Sequence, residues 1–177
     1  MLALACDRCN AYKGAQNVRG KSLEIAMDID LHDSPGASIR VFQSANEQTI
    51  VGLSRNPAEV FVDRTRSGEV GFHKNFPGRH AAPIGDGNRV SLHMFLDASS
   101  VEVFVNNGEK VISDRVFPSP DATGVHVDAP GTAVIKTFQV WGLKSVWTQP
   151  KLAAESAGQS GAIHKPVRTP RRWIRNH

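Results

Sequence analysis

The sequence lacks any run of 18 apolar residues, so it contains no candidate for a membrane-spanning helix. The apolar stretch at its start is too short for the hydrophobic core of a secretory signal, so the sequence leaves the compartment open. Cysteine is also scarce, since Cys6 and Cys9 are the only two. A zinc site would need two further ligands at matching spacing, and a redox pair normally lies at a helix N-terminus in a βαβ unit. We therefore interpret the two thiols as incidental and expect no cofactor.

Metal-ligating side chains are scattered in the same way. His73 and His80 are near each other in a long Gly- and Pro-rich stretch, with Asp86 beyond. Such a spacing is too irregular to predict a metal site. The Gly-x-Ser-x-Gly motif of a serine hydrolase is absent as well.

Excess positive charge is absent from most of the chain. Six of the 21 Lys and Arg residues lie in residues 151–177, and the first 150 residues carry 15 basic and 16 acidic side chains. A nucleic-acid-binding domain would concentrate positive charge on a folded face, so a neutral body argues against this class. Residues 148–177 are rich in Ala, Gly, Ser, Pro and Arg without periodicity, and we expect them to form a disordered basic tail.

No window between residues 20 and 147 has the spacing of an amphipathic helix, but many alternate between apolar and polar residues. In Ser22–His32 every second side chain is apolar, which predicts a half-buried strand. Similar segments separated by turn residues are 37–44, 47–54, 58–64, 90–97, 100–106, 110–117, 123–128 and 132–142, with a weaker one at 70–73. About ten short strands of this kind predict an all-β fold, an antiparallel β-sandwich.

The segment Phe95–Val111 shows this pattern most clearly. Val101, Val103 and Val105 alternate with Glu102, Phe104 and Asn106, so the valines should enter the core. Asn107-Gly108 suits the positive φ angles of a tight hairpin. The segment is therefore predicted to be a core strand and its turn. Phe104, the aromatic member of the polar face, could contact a neighbouring module.

Two segments carry a family resemblance. Ala58–Gly68 reads AEVFVDRTRSG, and Val90–Pro118 reads VSLHMFLDASSVEVFVNNGEKVISDRVFP. With Phe72 and Phe76 between them, they resemble the C-terminal β-sandwich of glycoside hydrolase family 32, the family of levanases, inulinases, invertases and sucrose-6-phosphate hydrolases. The resemblance implies a concanavalin-like, jelly-roll sandwich over residues 21–147, preceded by a loose segment over residues 1–20.

The resemblance also implies a partner. Members of this family place an N-terminal five-bladed β-propeller before the sandwich, and two carboxylates of the propeller perform retaining hydrolysis of β-fructosides. Their motifs are Asn-Asp-Pro-Asn, Arg-Asp-Pro and a Glu that precedes a Cys, and this sequence contains none of them. We therefore expect an accessory module without catalytic residues, which would support a propeller in the same chain or in a separate one. A free-standing, lectin-like fructan-binding module and a truncated fragment without function are the alternatives.

Four residues are candidates for carbohydrate contact: Asp63, Arg64, Asp97 and Glu102. Planar guanidinium and carboxylate groups suit the vicinal hydroxyls of fructose or a fructan. The competing interpretation is that these charges form ion pairs that fix strand ends. Trp141 and Trp147 could supply an aromatic platform for a sugar, although Trp141 also suits packing in the final strand.

Overall fold

The computed structural model describes the backbone of Leu2–Leu4 and residues 18–144, all within one compact unit, Met1–Lys144. Eleven strands are present in this part of the chain. They are β1 (Leu2–Leu4), β2 (Leu23–Asp30), β3 (Gly36–Gln43), β4 (Gln48–Arg55), β5 (Ala58–Arg66), β6 (Arg79–Pro83), β7 (Arg89–Asp97), β8 (Ser100–Val105), β9 (Lys110–Arg115), β10 (Gly124–Asp128) and β11 (Val134–Gly142).

The strands form two antiparallel sheets. The six-stranded sheet has the order β1-β11-β2-β7-β8-β9, and the five-stranded sheet has the order β10-β3-β4-β5-β6. The predicted all-β fold, an antiparallel β-sandwich, is therefore confirmed. Among the described residues, no helix is long and apolar enough to cross a membrane.

The core lies between the two sheets and follows the alternation of the sequence. In β2 the four side chains Leu23, Ile25, Met27 and Ile29 are buried, and the residues between them are more exposed. The valines of β8 are fully buried, as their spacing predicts. Because side chains alternate between the faces of a strand, the positions between these apolar residues form the outer faces of the sandwich.

The turn after β8 has the predicted backbone conformation. Asn106, Asn107 and Gly108 form one 3₁₀ turn with φ angles of +47°, +59° and +90°. Asn tolerates this left-handed region better than other side chains, and Gly enters it without a steric penalty. The Asn106 side-chain oxygen also accepts a hydrogen bond of 3.1 Å from the backbone N–H of Ser91, which ties the turn to β7.

The structure differs from the sequence prediction mainly between residues 67 and 88. No strand occupies residues 70–73, and the strand of this region is β6 at Arg79–Pro83. β6 pairs only with β5 and is largely exposed, so it carries no alternation that a sequence pattern could show.

The segment 1–20 contains β1 and a bridge between Arg19 and Gly124. Cys6, Cys9, Trp147 and the predicted tail lie outside the described residues.

Candidate functional site

Asp63 and Arg64 are neighbours on β5 and therefore point to opposite faces of the five-stranded sheet. Asp63 lies on the outer face, where one carboxylate oxygen accepts hydrogen bonds from the Thr65 backbone N–H at 2.9 Å and the Thr65 hydroxyl at 2.7 Å. The Arg64 side chain is only 13% exposed and turns inward at the edge of the sandwich. The two charges are thus not presented together on one surface.

Arg64 belongs to an ionic cluster with Asp114 and His80, in which the Asp114 carboxylate is buried and the His80 side chain is 51% exposed. Its Nη1 lies 3.7 Å from Asp114 Oδ1 and donates a hydrogen bond of 3.1 Å to the carbonyl of Arg115. Asp114 is 3% exposed, and its Oδ1 lies 2.7 Å from His80 Nδ1. Since these residues come from β5, β6 and β9, the cluster joins the edges of the two sheets. A buried carboxylate needs such partners, which favours the ion-pair interpretation for Arg64.

An aromatic cluster packs against the Arg64 side of this ionic cluster. Ring centroids lie 4.5 Å apart for Phe72 and Phe76, 5.5 Å for Phe76 and Phe117, and 5.6 Å for Phe72 and Phe117. The guanidinium of Arg64 stacks 4.2 Å from the centre of the Phe76 ring. Phe72 is 57% exposed and Phe117 is 37% exposed. The three rings therefore form one apolar surface patch, and the Arg64 guanidinium stacks against one of them.

The backbone around Gly68 holds this aromatic cluster in place. Gly68 forms a parallel bridge with Phe117, the Phe117 N–H donates to Ser67, and the Glu69 N–H donates to the Phe117 carbonyl at 2.9 Å. Gly68 has a φ of +88°, and a Cβ at this position would lie 2.1 Å from the Phe117 carbonyl oxygen. Glycine is thus required both by the dihedral angle and by the close approach of the two chain segments.

Asp97 and Glu102, the other two predicted residues, share the outer face of the six-stranded sheet. Glu102 is opposite Phe95 in the β7–β8 pair, and Asp97 is opposite Ser100. Asp97 accepts hydrogen bonds from the Ser22 hydroxyl at 3.1 Å and the Ala98 N–H at 2.7 Å, so it also caps the hairpin. The structure brings these two acids to one face but places Asp63 on the other sheet and Arg64 inside. Sugar contact by the four residues stays a prediction.

A groove runs across the same outer face, and we call it the outer groove. It has a volume of about 540 Å³ and crosses β11, β2, β7 and β8. Its lining includes Asp28, His93, Phe95, Phe104, Thr137 and Gln139. Trp141 is opposite Glu24, and Glu24 is opposite Phe95 in the β2–β7 pair, so Trp141, one of the two candidates for an aromatic platform, lies on this face too.

The described residues hold no group of three or more His, Cys, Asp or Glu side chains arranged to bind a metal. His73, His80 and Asp86 are accordingly not gathered into one site. His80 contacts Asp114, and the Nδ1 of His73 accepts a hydrogen bond of 3.2 Å from the Asn75 N–H.

No sequence pattern marks Asp114, Asp28 or His93 as a site residue, and His80 is marked only as a weak metal-ligand candidate. Asp114 and His80 are far apart in sequence, and no spacing marks them as partners of Arg64. For Asp28 and His93 the sequence does carry a signal, because the alternation of β2 and β7 assigns both to the polar face of their strands.

Comparison with known families agrees with this architecture. The profile described as "Glycosyl hydrolases family 32 C terminal" matches residues 6–142. The chain belongs to this family. A levanase of Bacillus sp. (strain L7) is 34% identical over 145 residues, 79% of this chain and 15% of the levanase. A levanase of Bacillus subtilis (strain 168) is 38% identical over 121 residues, 64% of this chain and 18% of the levanase. The extracellular exo-inulinase of Aspergillus awamori is 33% identical over 113 residues, 62% of this chain and 21% of the inulinase.

The family 32 C-terminal module is thus similar to a small part of much longer relatives, since it spans between 15% and 21% of these three. Among solved structures, exo-inulinase from Aspergillus awamori superposes with a TM-score of 0.68 and 29% identity, over 74% of this chain and 26% of the inulinase chain. The galectin LEC-6 of Caenorhabditis elegans superposes with a TM-score of 0.53 and 12% identity, over 78% of this chain and 95% of the galectin. The second likeness shows the sandwich fold alone.

Proposed function

We propose that this family 32 module is the accessory C-terminal sandwich of a β-fructosidase and supports the catalytic module rather than hydrolysing sugar itself. Its relatives include levanases and exo-inulinases, and it matches about a fifth of their length. The sequence contains no Asn-Asp-Pro-Asn, Arg-Asp-Pro or Glu-Cys segment, so the family's catalytic carboxylates have no counterpart in it. The partner would be a catalytic propeller in the same chain or in a separate one.

The observation that carries the supporting role is the aromatic cluster. A single exposed aromatic side chain is ordinary on a protein surface, but three in mutual contact form the kind of apolar patch found at interfaces. The bridge between Gly68 and Phe117 and the stacking of Arg64 fix the rings before any partner arrives. Docking on a fixed patch loses little conformational entropy, which favours a stable contact.

Charge around the aromatic cluster suggests what the partner offers. Arg66, Lys74 and Arg115 are exposed and lie along the chain near Phe72 or Phe117, and Glu69 is the one exposed acid between Arg66 and Phe72. We expect the catalytic module to present an apolar surface with an acidic rim at this contact, since complementary rim charges steer association and fix orientation.

Replacing Phe72 with serine should weaken this docking while leaving the sandwich itself folded. The test uses a chimera in which this chain replaces the matching region of the Bacillus subtilis levanase. A central interface aromatic contributes about 2 kcal/mol or more, so Phe72→Ser should lower the thermal midpoint of the chimera and separate its unfolding into two transitions. The midpoint of the isolated chain should change little, because Phe72 is more than half exposed. Calorimetry of both proteins measures this.

Val111→Ser is the matched control for Phe72→Ser. Val111 is 51% exposed and lies on β9, outside the aromatic cluster. Its substitution removes a similarly exposed apolar side chain and should leave the chimera unchanged. If Phe72→Ser and Val111→Ser had the same effect on the chimera, the aromatic cluster would not be the docking surface.

The alternative function, a free-standing fructan-binding module, is favoured by the outer groove.

A further inference from the structure

We propose that the outer groove is a binding site for a neutral oligosaccharide, with its chain running across β11, β2, β7 and β8. That the sugar is a β-fructan rests on the proposed function, whereas the assignment of the groove to a neutral sugar rests on the groove alone. The volume of about 540 Å³ is within the range of about 300–1,000 Å³ that is usual for small-molecule sites.

The floor of the outer groove is made by a small residue between larger ones. Ala26 on β2 is opposite Gln139 on β11 and His93 on β7, and His93 is opposite Phe104 on β8. Because cross-strand partners share a face of the sheet, these four side chains form one row with its low point at Ala26. Sheet twist and this size difference give the face a channel shape.

Hydrogen bonds already position the polar groups of the outer groove. The Thr137 hydroxyl donates to Asp28 Oδ2 at 2.7 Å and accepts from the Asp28 N–H at 3.2 Å. His93 Nε2 lies 2.8 Å from Glu24 Oε1. A carboxylate accepts several hydrogen bonds, so Asp28 keeps acceptor capacity for the hydroxyl groups of a sugar. Groups fixed in advance lose less entropy when they bind.

Aromatic rings line one side of the outer groove. The His93 and Phe95 rings lie 4.7 Å apart, and the Phe95 and Phe104 rings meet edge to face at 6.1 Å. The negative face of an aromatic ring attracts positively polarised hydrogen atoms, such as the C–H groups of a sugar ring. Aromatic faces beside hydrogen-bonding side chains match the two kinds of surface that a sugar presents.

The charges of the outer groove disfavour anionic ligands. Neither Lys nor Arg is among its lining residues, whereas Asp28 is. A phosphate group or a nucleic acid would meet a carboxylate without a compensating cation, which is unfavourable. We therefore infer that the site takes neutral saccharides and discriminates against phosphorylated ones.

Calorimetric titration of the full chain tests the assignment, with levan-type and inulin-type fructo-oligosaccharides, cello-oligosaccharides and fructose 6-phosphate as probes. Asp28→Ala and Phe104→Ala should each raise the dissociation constant for fructo-oligosaccharides about tenfold or more, which corresponds to about 1.4 kcal/mol. Asp33→Ala is the matched control, because it removes an exposed carboxylate that lies outside the lining of the outer groove. Its dissociation constant should equal that of the wild type, and circular dichroism checks that each variant is folded.

The outcomes separate the two levels of the proposal. Binding of cello-oligosaccharides but not fructo-oligosaccharides, lost in Asp28→Ala, would support the neutral-sugar groove and overturn its fructan assignment. Binding of fructo-oligosaccharides that Asp28→Ala and Phe104→Ala leave intact would overturn the groove and leave the proposed function standing. Absence of binding to all neutral probes, or equal binding of fructose 6-phosphate, would also overturn the groove.

Discussion

Replacing Arg64 with alanine should lower the free energy of unfolding of the sandwich by about 3 kcal/mol or more. The change removes the ion pair with Asp114, the hydrogen bond to the Arg115 carbonyl and the stacking under Phe76. Asp114 would remain buried with only its contact to His80, and removing the guanidinium partner of a buried carboxylate is costly. For a domain whose total stability is about 5–15 kcal/mol, this loss is large.

Urea unfolding of the isolated chain measures the effect of Arg64→Ala. Arg55→Ala is the matched control, since Arg55 is exposed at the end of β4, and it should change the stability by no more than about 0.5 kcal/mol. The double variant Arg64→Met, Asp114→Leu removes both charges and should be more stable than Arg64→Ala alone. A loss below about 1 kcal/mol in Arg64→Ala would show that the ionic cluster does not hold the sheet edges together.

Gly68→Ala should destabilise the chain by clearly more than the ordinary cost of a positive φ angle. That cost is about 1–2 kcal/mol for a non-glycine residue. At this position the new Cβ would also lie 2.1 Å from the Phe117 carbonyl oxygen, a backbone atom that cannot rotate away. Relief of the clash requires breaking the bridge between the Gly68 and Phe117 segments, which should also displace the aromatic cluster.

Gly108→Ala separates the clash from the dihedral strain. Gly108 has a φ of +90°, almost the same as the +88° of Gly68, but a Cβ there has no heavy atom within 4 Å. Gly108→Ala should therefore show the dihedral cost alone, and Gly68→Ala should show more in the same urea titration. In the levanase chimera, Gly68→Ala should also weaken docking and Gly108→Ala should not. Equal losses for the two variants would contradict the role assigned to the close approach.

The strands were predictable where burial alternates. β2, β7 and β8 each bury one face and expose the other, so their periodicity is visible in the sequence. β6 has no such pattern, because it is an exposed edge strand held by backbone pairing with β5. The aromatic cluster formed by residues 67–78 with Phe117 could not be predicted either, since the bridge from Gly68 to Phe117 is a long-range contact.

The candidate sites depend on strand order, which alternation alone does not provide. The sequence indicates that Asp28, His93 and Phe104 lie on polar faces of their strands, but only the order β11-β2-β7-β8 makes those faces one groove. The segment AEVFVDRTRSG marks Arg64 as a candidate for sugar contact or an ion pair. Its burial against Asp114 is not visible in the sequence, because that contact forms only where the edges of the two sheets meet. For the same reason, the four residues predicted to contact sugar are divided between the outer faces of the two sheets and, for Arg64, the interior.

Fructose release by the purified chain alone tests the central claim most directly. The chain is incubated with levan, inulin and sucrose, and free fructose is measured against a blank without protein. Since the sequence carries none of the family's catalytic motifs, we predict no release above the blank on any of the three substrates. Release that a point substitution in this chain abolishes would contradict the account, because it would place catalytic carboxylates within the sandwich itself.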